Sequence, residues 1–275
     1  MKPRTTLPVL SIKLFGKLTI DLDRSHPIKI QGYKSDELFA FLLLNRNHAY
    51  HREHLAELLW SNYQTDEAPR NYLRKALWKL QNDLCVIDSN LAREVLIIES
   101  KWIELRDNEK LELDVKTFER IYQFCKGLPE NEISLDQYNL MKGALELYQG
   151  DLLEGCYHNW CTTEREYLKE KLLFIGEKLI GYCEAKQDYM TGIEFANRML
   201  KHDPAHERTH IRIMRMQYIS GNRSEALRQY ERCSVALRNE LNVEPGLLAQ
   251  HAYQQIAHNS SVKMLQLDPS MIADF

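Results

Sequence analysis

The chain has 275 residues, 44% of them hydrophobic and 27% charged, with a formal net charge of −3. That length has room for two domains of ordinary size, each burying its own core, and no stretch approaches the apolar length of a bilayer span. The balance excludes a uniformly basic nucleic-acid binder, so any polyanion has to be met by a local patch. Up to Leu113 there are 17 Lys+Arg against 16 Asp+Glu, and beyond it 19 against 23, so the front part is slightly basic and the back part acidic. Met1 leads into a polar segment without an apolar signal region, which predicts a cytoplasmic protein with no membrane partner. Six scattered cysteines without a CxxC pair read as reduced, mostly buried thiols.

In chain order, Val9 to Phe15 and Leu18 to Leu22 are β-rich runs joined at Gly16-Lys17, and Ile28 to Ile30 is a third short strand entered through Pro27. Ser35 is placed to cap a helix reaching about Asn45, with Leu38, Phe39, Leu42 and Leu43 inward. A polar break precedes a second helix over Arg52 to Trp60, and Ser61 to Ala68 is a polar loop. Pro69 then opens a third helix at a favourable first-turn position.

This third helix is the most informative segment. Leu73, Leu77, Leu80 and Leu84 form one stripe. Asn71, Arg74, Lys75, Trp78, Lys79 and Asn82 then fall on the exposed side, with Arg70 at its margin. Four basic residues and no acidic one appear in it before Asp83. A leucine-backed helix presenting cations, amides and an indole is shaped to enter the major groove of DNA. Val95 to Ile98 and Trp102 to Leu105 follow as a hairpin around Ser100-Lys101. Sheet, three helices and hairpin is the order of a winged helix with an N-terminal sheet, in which the third helix docks in the groove.

The pieces "LAELLW" (Leu55 to Trp60) and "RN-x-L-x(3)-L-x(2)-L" (Arg70 to Leu80) carry a resemblance. They resemble the OmpR-type winged helix of SARP-type bacterial transcriptional activators. Trp78 and Tyr72 depart from that pattern, where smaller residues are common. The resemblance implies that the third helix reads tandem direct repeats in double-stranded DNA and that the loop before it faces RNA polymerase. It makes Arg70, Asn71, Arg74, Lys75, Trp78 and Lys79 base or phosphate contacts. Arg52, at the start of the second helix, and Lys101, in the wing turn, become phosphate contacts.

From Asp114 the strand pattern gives way to helical patterns over 114–126, 135–149 and 160–186. Asp188, Gly192, Ile193 and Ala196 map onto Asn222, Ala226, Leu227 and Tyr230, each pair 34 residues apart. Such a period, with small residues at helix crossings, is that of tetratricopeptide (TPR) helix pairs. Pro204 is expected to close one unit and Pro245 the next, with a longer final helix in the second. "LELYQGDLLEG-x-Y-x-x-W-x-x-x-ERE-x-L" (Leu145 to Leu168) and "ALRQYERC-x-x-x-L-x-x-EL-x-VEP" (Ala226 to Pro245) resemble the bacterial transcriptional activator domain that follows the winged helix in the same regulators. The expected layout is therefore an α+β OmpR-like winged helix-turn-helix domain with an N-terminal sheet at 1–113, an all-α TPR-like domain at 114–258, and a tail at 259–275.

Several patterns with enzymatic or metal associations have better structural readings. His206-Glu207-Arg208-Thr209-His210 has the HExxH spacing of zinc proteases, but it starts just after a proline within a helical repeat, where no deep cleft is expected. Cys156, His158 and Cys161 lack a clear fourth ligand, and an aromatic cluster with Tyr157 and Trp160 accounts for them. His48, His51 and His54 sit at a loop–helix junction that suits capping or phosphate contact. Gly16-Lys17 is followed by Leu18, so it is not a phosphate-binding loop. No catalytic residue, cofactor or metal is implied. The expectation is a sequence-specific transcriptional activator, a homodimer at least on DNA. The alternative is a TPR-type adaptor that binds a partner protein without touching DNA.

Overall fold

The structure, a computed structural model, describes residues 9–22, 26–28, 32–60, 69–129 and 132–258. It opens with strands β1 (Leu10–Lys13), β2 (Thr19–Leu22) and β3 (His26–Ile28), followed by helix α1 (Tyr33–Leu44). Strand β4 (Ala49–His51) leads into α2 (Arg52–Trp60), and α3 spans Pro69–Ile87. Then come α4 (Ser89–Val95), β5 (Leu96–Ile98), β6 (Trp102–Leu105), β7 (Leu111–Leu113) and α5 (Asp114–Cys125). Helices α6 (Leu135–Leu147), α7 (Asn159–Ala185), α8 (Tyr189–His202), α9 (Glu207–Ile219), α10 (Arg223–Leu241) and α11 (Leu247–Ala257) follow among the described residues. The architecture is a winged helix with an N-terminal sheet followed by an all-α region.

Two compact units form, and they are not consecutive in sequence. One comprises residues 1–120 and 147–168; the other comprises 121–146 and 169–275. In the first, a four-stranded sheet runs in the order β3-β2-β1-β7, with β7 parallel to β1. Alternation along β1 sends Leu10 and Ile12 inward, both fully buried. Asp114 ties this sheet to α5. Its carboxylate accepts the backbone N–H of Leu14 at 2.9 Å and of Phe15 at 3.0 Å, as well as that of Val115 at 2.7 Å.

The chain returns to this unit through residues 147–156. Gly16 donates to the Asp151 carbonyl at 2.9 Å, and Leu153 donates to the Leu14 carbonyl at the same distance. Gly16 has φ 86, a conformation glycine adopts at little cost. Phe15, Phe118 and Tyr148 close the space beneath, with ring centroids 4.5 to 5.8 Å apart. The segment that resembles the activator domain at Leu145 to Leu168 is thus, from Leu147 on, part of the same body as the winged helix.

Three details differ from the sequence expectation. Ser35 does not cap α1. Gly32 precedes that helix with φ 116, and Ser35 lies buried in the first turn, its hydroxyl turned toward the Ala76 carbonyl. Val95 ends a short helix instead of starting a strand, because Asp88 caps α4 by accepting from Asn90 and Leu91 at 2.8 and 3.1 Å. Of the expected third strand only Ile28 is described; Lys29 and Ile30 lie outside the described residues.

In the second unit the 34-residue correspondence is realised as equivalent positions. Asp188 and Asn222 are the N-caps of α8 and α10, and the matched pair Gly192 and Ala226 is buried in both helices. A Cβ on Gly192 would come within 2.8 Å of the Met216 sulfur, which shows how closely α8 and α9 approach there. The prolines sit elsewhere than expected. Pro204 falls between α8 and α9 and Pro245 between α10 and α11, so each is inside a helix pair. The extra length belongs to α10, with 19 residues against 14 in α8.

Candidate nucleic-acid interface

Helix α3 is held by its apolar face. Leu73, Leu77, Leu80 and Leu84 are at most 4% exposed, with Tyr72 and Ala76 beside them. Burial of this kind is worth roughly 1.5–3 kcal/mol per leucine, enough to fix which side faces out. Trp78 is 68% exposed, and Arg74 and Lys75 are exposed one turn before it. An indole left this open has little structural reason to be there, since burial would gain free energy.

The other anticipated contacts divide by environment. Asn71 and Lys79 are half-buried. The Lys79 ammonium stands 3.4 Å from where a Gly32 side chain would begin, and its charge acts on Asp36. Asp36 has a carboxyl pushed up to about 6, by burial first and then by Asp83; its Oδ1 is buried without a hydrogen-bond partner. Arg70 is exposed but paired to Glu53 of α2 at 2.7 Å. Lys34, at the start of α1, lies over the Tyr72 ring with its Nζ 2.7 Å from the centroid.

A second cluster forms where α2 begins. The Arg52 N–H donates to the Lys101 carbonyl at 2.9 Å, so the helix start and the wing turn are adjacent. The wing is a three-stranded sheet in the order β4-β6-β5, with His51 opposite Trp102. Lys101 is exposed, and the Arg52 Nε is buried without a partner. An unmet buried donor costs about 1–3 kcal/mol, which an anionic oxygen arriving there would offset. Trp102 is 46% exposed, its ring edge-on to His51 at 5.4 Å. Sequence reasoning missed Trp102, although alternation along Trp102-Ile-Glu-Leu105 puts Ile103 and Leu105 inside and the indole outside. The loop Ser61 to Ala68 lies outside the described residues.

A buried polar link supports the back of this assembly. Glu37 on α1 accepts the Trp60 indole N–H at 2.9 Å and meets His158 Nε2 at 2.8 Å. Trp160 packs edge-on to Phe41 at 5.2 Å. His158 thus serves Glu37.

The HExxH residues are likewise occupied. His210 is buried, with Nε2 2.9 Å from the Pro204 carbonyl and Nδ1 2.8 Å from the Gln229 amide. Burial and neighbouring charges hold this imidazole below its ordinary range, favouring the neutral form those two bonds require. Glu207 accepts the Gly246 N–H at 2.8 Å. Among the described residues no group of three or more His, Cys, Asp or Glu side chains is placed to hold a metal ion, and no helix is long and apolar enough to cross a membrane.

A winged helix with an open basic helix, followed by stacked helix pairs, is the architecture of SARP-type transcriptional activators. Residues 113–257 match the family model described as the bacterial transcriptional activator domain. That is more than half of the chain, and the chain belongs to this family. Its fold is also similar to that of a solved structure titled "Mycobacterium tuberculosis EmbR in complex with low affinity phosphopeptide". The TM-score is 0.75 at 19% identity, over 97% of this chain and 68% of the other. No curated protein sequence matches the chain.

Proposed function

We propose that the chain is a sequence-specific regulator that binds double-stranded DNA through α3 and the wing. In this reading Arg74, Lys75 and Trp78 meet base edges or the adjacent backbone. Arg52 and Lys101 set the register on phosphates, with Arg70, Asn71 and Lys79 at the margins of the contact. The domains act in the order 1–113 for reading and 114–258 for activation. A single winged helix reads few base pairs, so two protomers on tandem repeats, associated at least on DNA, supply specificity. The Ser61 to Ala68 loop is assigned to RNA polymerase. Charge reversal there that leaves transcription unchanged would remove that assignment.

One observation carries the reading: a leucine-anchored helix keeps its cation-and-indole side open to solvent. The test is binding to duplex DNA followed by fluorescence anisotropy across a salt series, after genomic footprinting has supplied the site. With roughly six phosphate contacts, affinity drops about a thousandfold between about 50 and about 200 mM salt. Arg74→Ala and Trp78→Ala each weaken binding while leaving the fold intact. Salt-insensitive binding, or indifference to both substitutions, overturns the proposal.

The adaptor reading has an observation of its own. Leu241, Val243, Leu247 and Leu248, around the α10–α11 turn, are 48–81% exposed. A chain acting only as an adaptor would capture its partner unchanged by Arg74→Ala.

A further inference from the structure

Arg208, Arg212 and Arg215 recur on α9 at steps of four and three residues, so they share one face of that helix. Helix α7 offers this face two carboxylates, Glu177 and Glu184. Arg208 reaches Glu177 at 3.4 Å, while Arg212 bonds Glu177 and closes on Glu184 at 2.7 and 3.1 Å. Three cations thus meet two anions, and the pairing is complete without the third cation. Arg215 is the one left over.

The Arg215 guanidinium donates no hydrogen bond to any described residue. Its Nε is sealed from solvent without a partner and is the only one of its three nitrogens so placed, which leaves the two terminal nitrogens open to solvent. The residue as a whole is half-buried. Burial holds this guanidinium below the ordinary arginine range; Glu184 opposes that and Arg212 reinforces it. Helix α11 also packs on α9, yet it carries no acidic residue between Leu247 and Ala257. A desolvated cation without a counterion is costly, and an arriving anion offsets that cost. One turn further on, Ile219 is 40% exposed and gives the same face an apolar end.

We propose that this end of α9 is a docking point for an acidic segment of a partner protein. A carboxylate of the segment meets the two terminal nitrogens of Arg215 end-on, and a neighbouring aliphatic side chain covers Ile219. The planar guanidinium fork matches a carboxylate in this two-bond arrangement. The excess of one positive charge suits a single acid. A nucleic acid suits the face poorly, because Glu177 and Glu184 stay 13% and 34% exposed beside the arginines and repel a continuous row of phosphates. The residues beyond Leu113 are also acidic on balance, 19 Lys+Arg against 23 Asp+Glu. The site lies on the helical unit and involves neither α3 nor the wing, so it stands apart from the reading of DNA.

Fluorescence anisotropy on the full chain tests the assignment with a short fluorescein-labelled peptide of aspartate and leucine. Its counterpart has asparagine at each aspartate. The acidic peptide should bind at least about tenfold more tightly than the amide peptide, and Arg215→Gln should remove that preference. Arg228→Gln, at an arginine already paired on α10, should leave it unchanged. A measurement on the unsubstituted chain guards against misfolded variants. Phenylglyoxal is expected to modify Arg215 before Arg212, and the acidic peptide to slow that modification, read by peptide mass mapping. Equal binding of the two peptides, a preference that survives Arg215→Gln, or earlier modification of Arg212 overturns the proposal. A loss of duplex DNA binding in Arg215→Gln as large as the loss of peptide binding also overturns it, since the face would then belong to nucleic acid.

Discussion

On α3 the Arg74 side chain faces solvent with no ion pair to any described residue, whereas four arginines of the helical unit are held by the protein's own carboxylates. Arg212 is 8% exposed and bonded to Glu184 at 2.7 Å and to Glu177. Arg228 and Arg232 share Glu225, and Arg238 pairs with Glu244 at 2.7 Å. The same residue type therefore has two roles. Where each cation already has an anion nearby, the long-range field is small; where it has none, the field is available to a polyanion. That contrast, more than net charge, locates the candidate interface in a chain of charge −3.

The largest expected effect comes from breaking the internal case. Burial works against the Arg212 charge, and Glu184 and then Glu177 more than offset this, holding it above its ordinary range. Arg212→Met leaves half-buried Glu177 with only its longer contacts to Arg208 and Thr209, both at 3.4 Å, and should destabilise the chain by about 3–5 kcal/mol, read from the urea midpoint. Adding Glu177→Gln should recover part of that loss. A loss under about 1 kcal/mol would mean the pair behaves like an exposed one. Next in size is the external case. Arg74→Ala should weaken DNA binding by roughly 1–3 kcal/mol with little change in stability, while Arg228→Ala leaves affinity unchanged. Equal effects of the two on anisotropy titrations would erase the distinction between the regions.

The contrast was only half legible beforehand. The leucine seam of α3 could be read because periodicity records which side is buried, and alternation recorded the wing strands in the same way. The equivalence of Asp188 and Asn222 was visible through the repeat, though not their role as helix caps. What escaped depends on residues distant in sequence. Strand β7 is three residues long and acquires meaning only by lying parallel to β1, with Leu10 beside Leu111. The Asp114 carboxylate serves backbone donors about a hundred positions earlier, and no local pattern announces that. Lys79 reads as one more cation on an open face; only the packing of α1 brings its ammonium to Gly32 and Asp36. The return of 147–168 to the first unit is likewise tertiary, and it converts His158 from a possible ligand into the partner of Glu37.

Asp36 offers a smaller and pH-dependent test at the edge of the open face. Its carboxyl stands at about 6 in the folded chain against 3.8 ordinarily, so folding disfavours the ionised form. Stability attributable to this group is fully present below the ordinary value and is lost as pH rises through about 6. Because the residue is only partly buried, the full shift overstates the cost, and Asp36→Asn should raise stability at pH 7 by about 1 kcal/mol. Near pH 4 the gain should nearly vanish. A gain of equal size at both pH values would assign the effect to packing instead of charge.

The finest discrimination concerns Arg70, which stands between the two cases: exposed like Arg74, yet paired to Glu53 at 2.7 Å. The side chains are 73% and 55% exposed, and such a pair is worth no more than about 1 kcal/mol. Glu53→Gln should therefore leave the unfolding midpoint almost unchanged. If a phosphate competes with Glu53 for the guanidinium, the substitution removes the competitor and one negative charge from the approach to DNA. Affinity should then rise by about twofold at low salt, with the gain fading as ionic strength screens it. In an Arg70→Ala background the same substitution should give a smaller gain, because only the general charge effect remains. Identical gains in both backgrounds would show that Arg70 never leaves Glu53 for the nucleic acid.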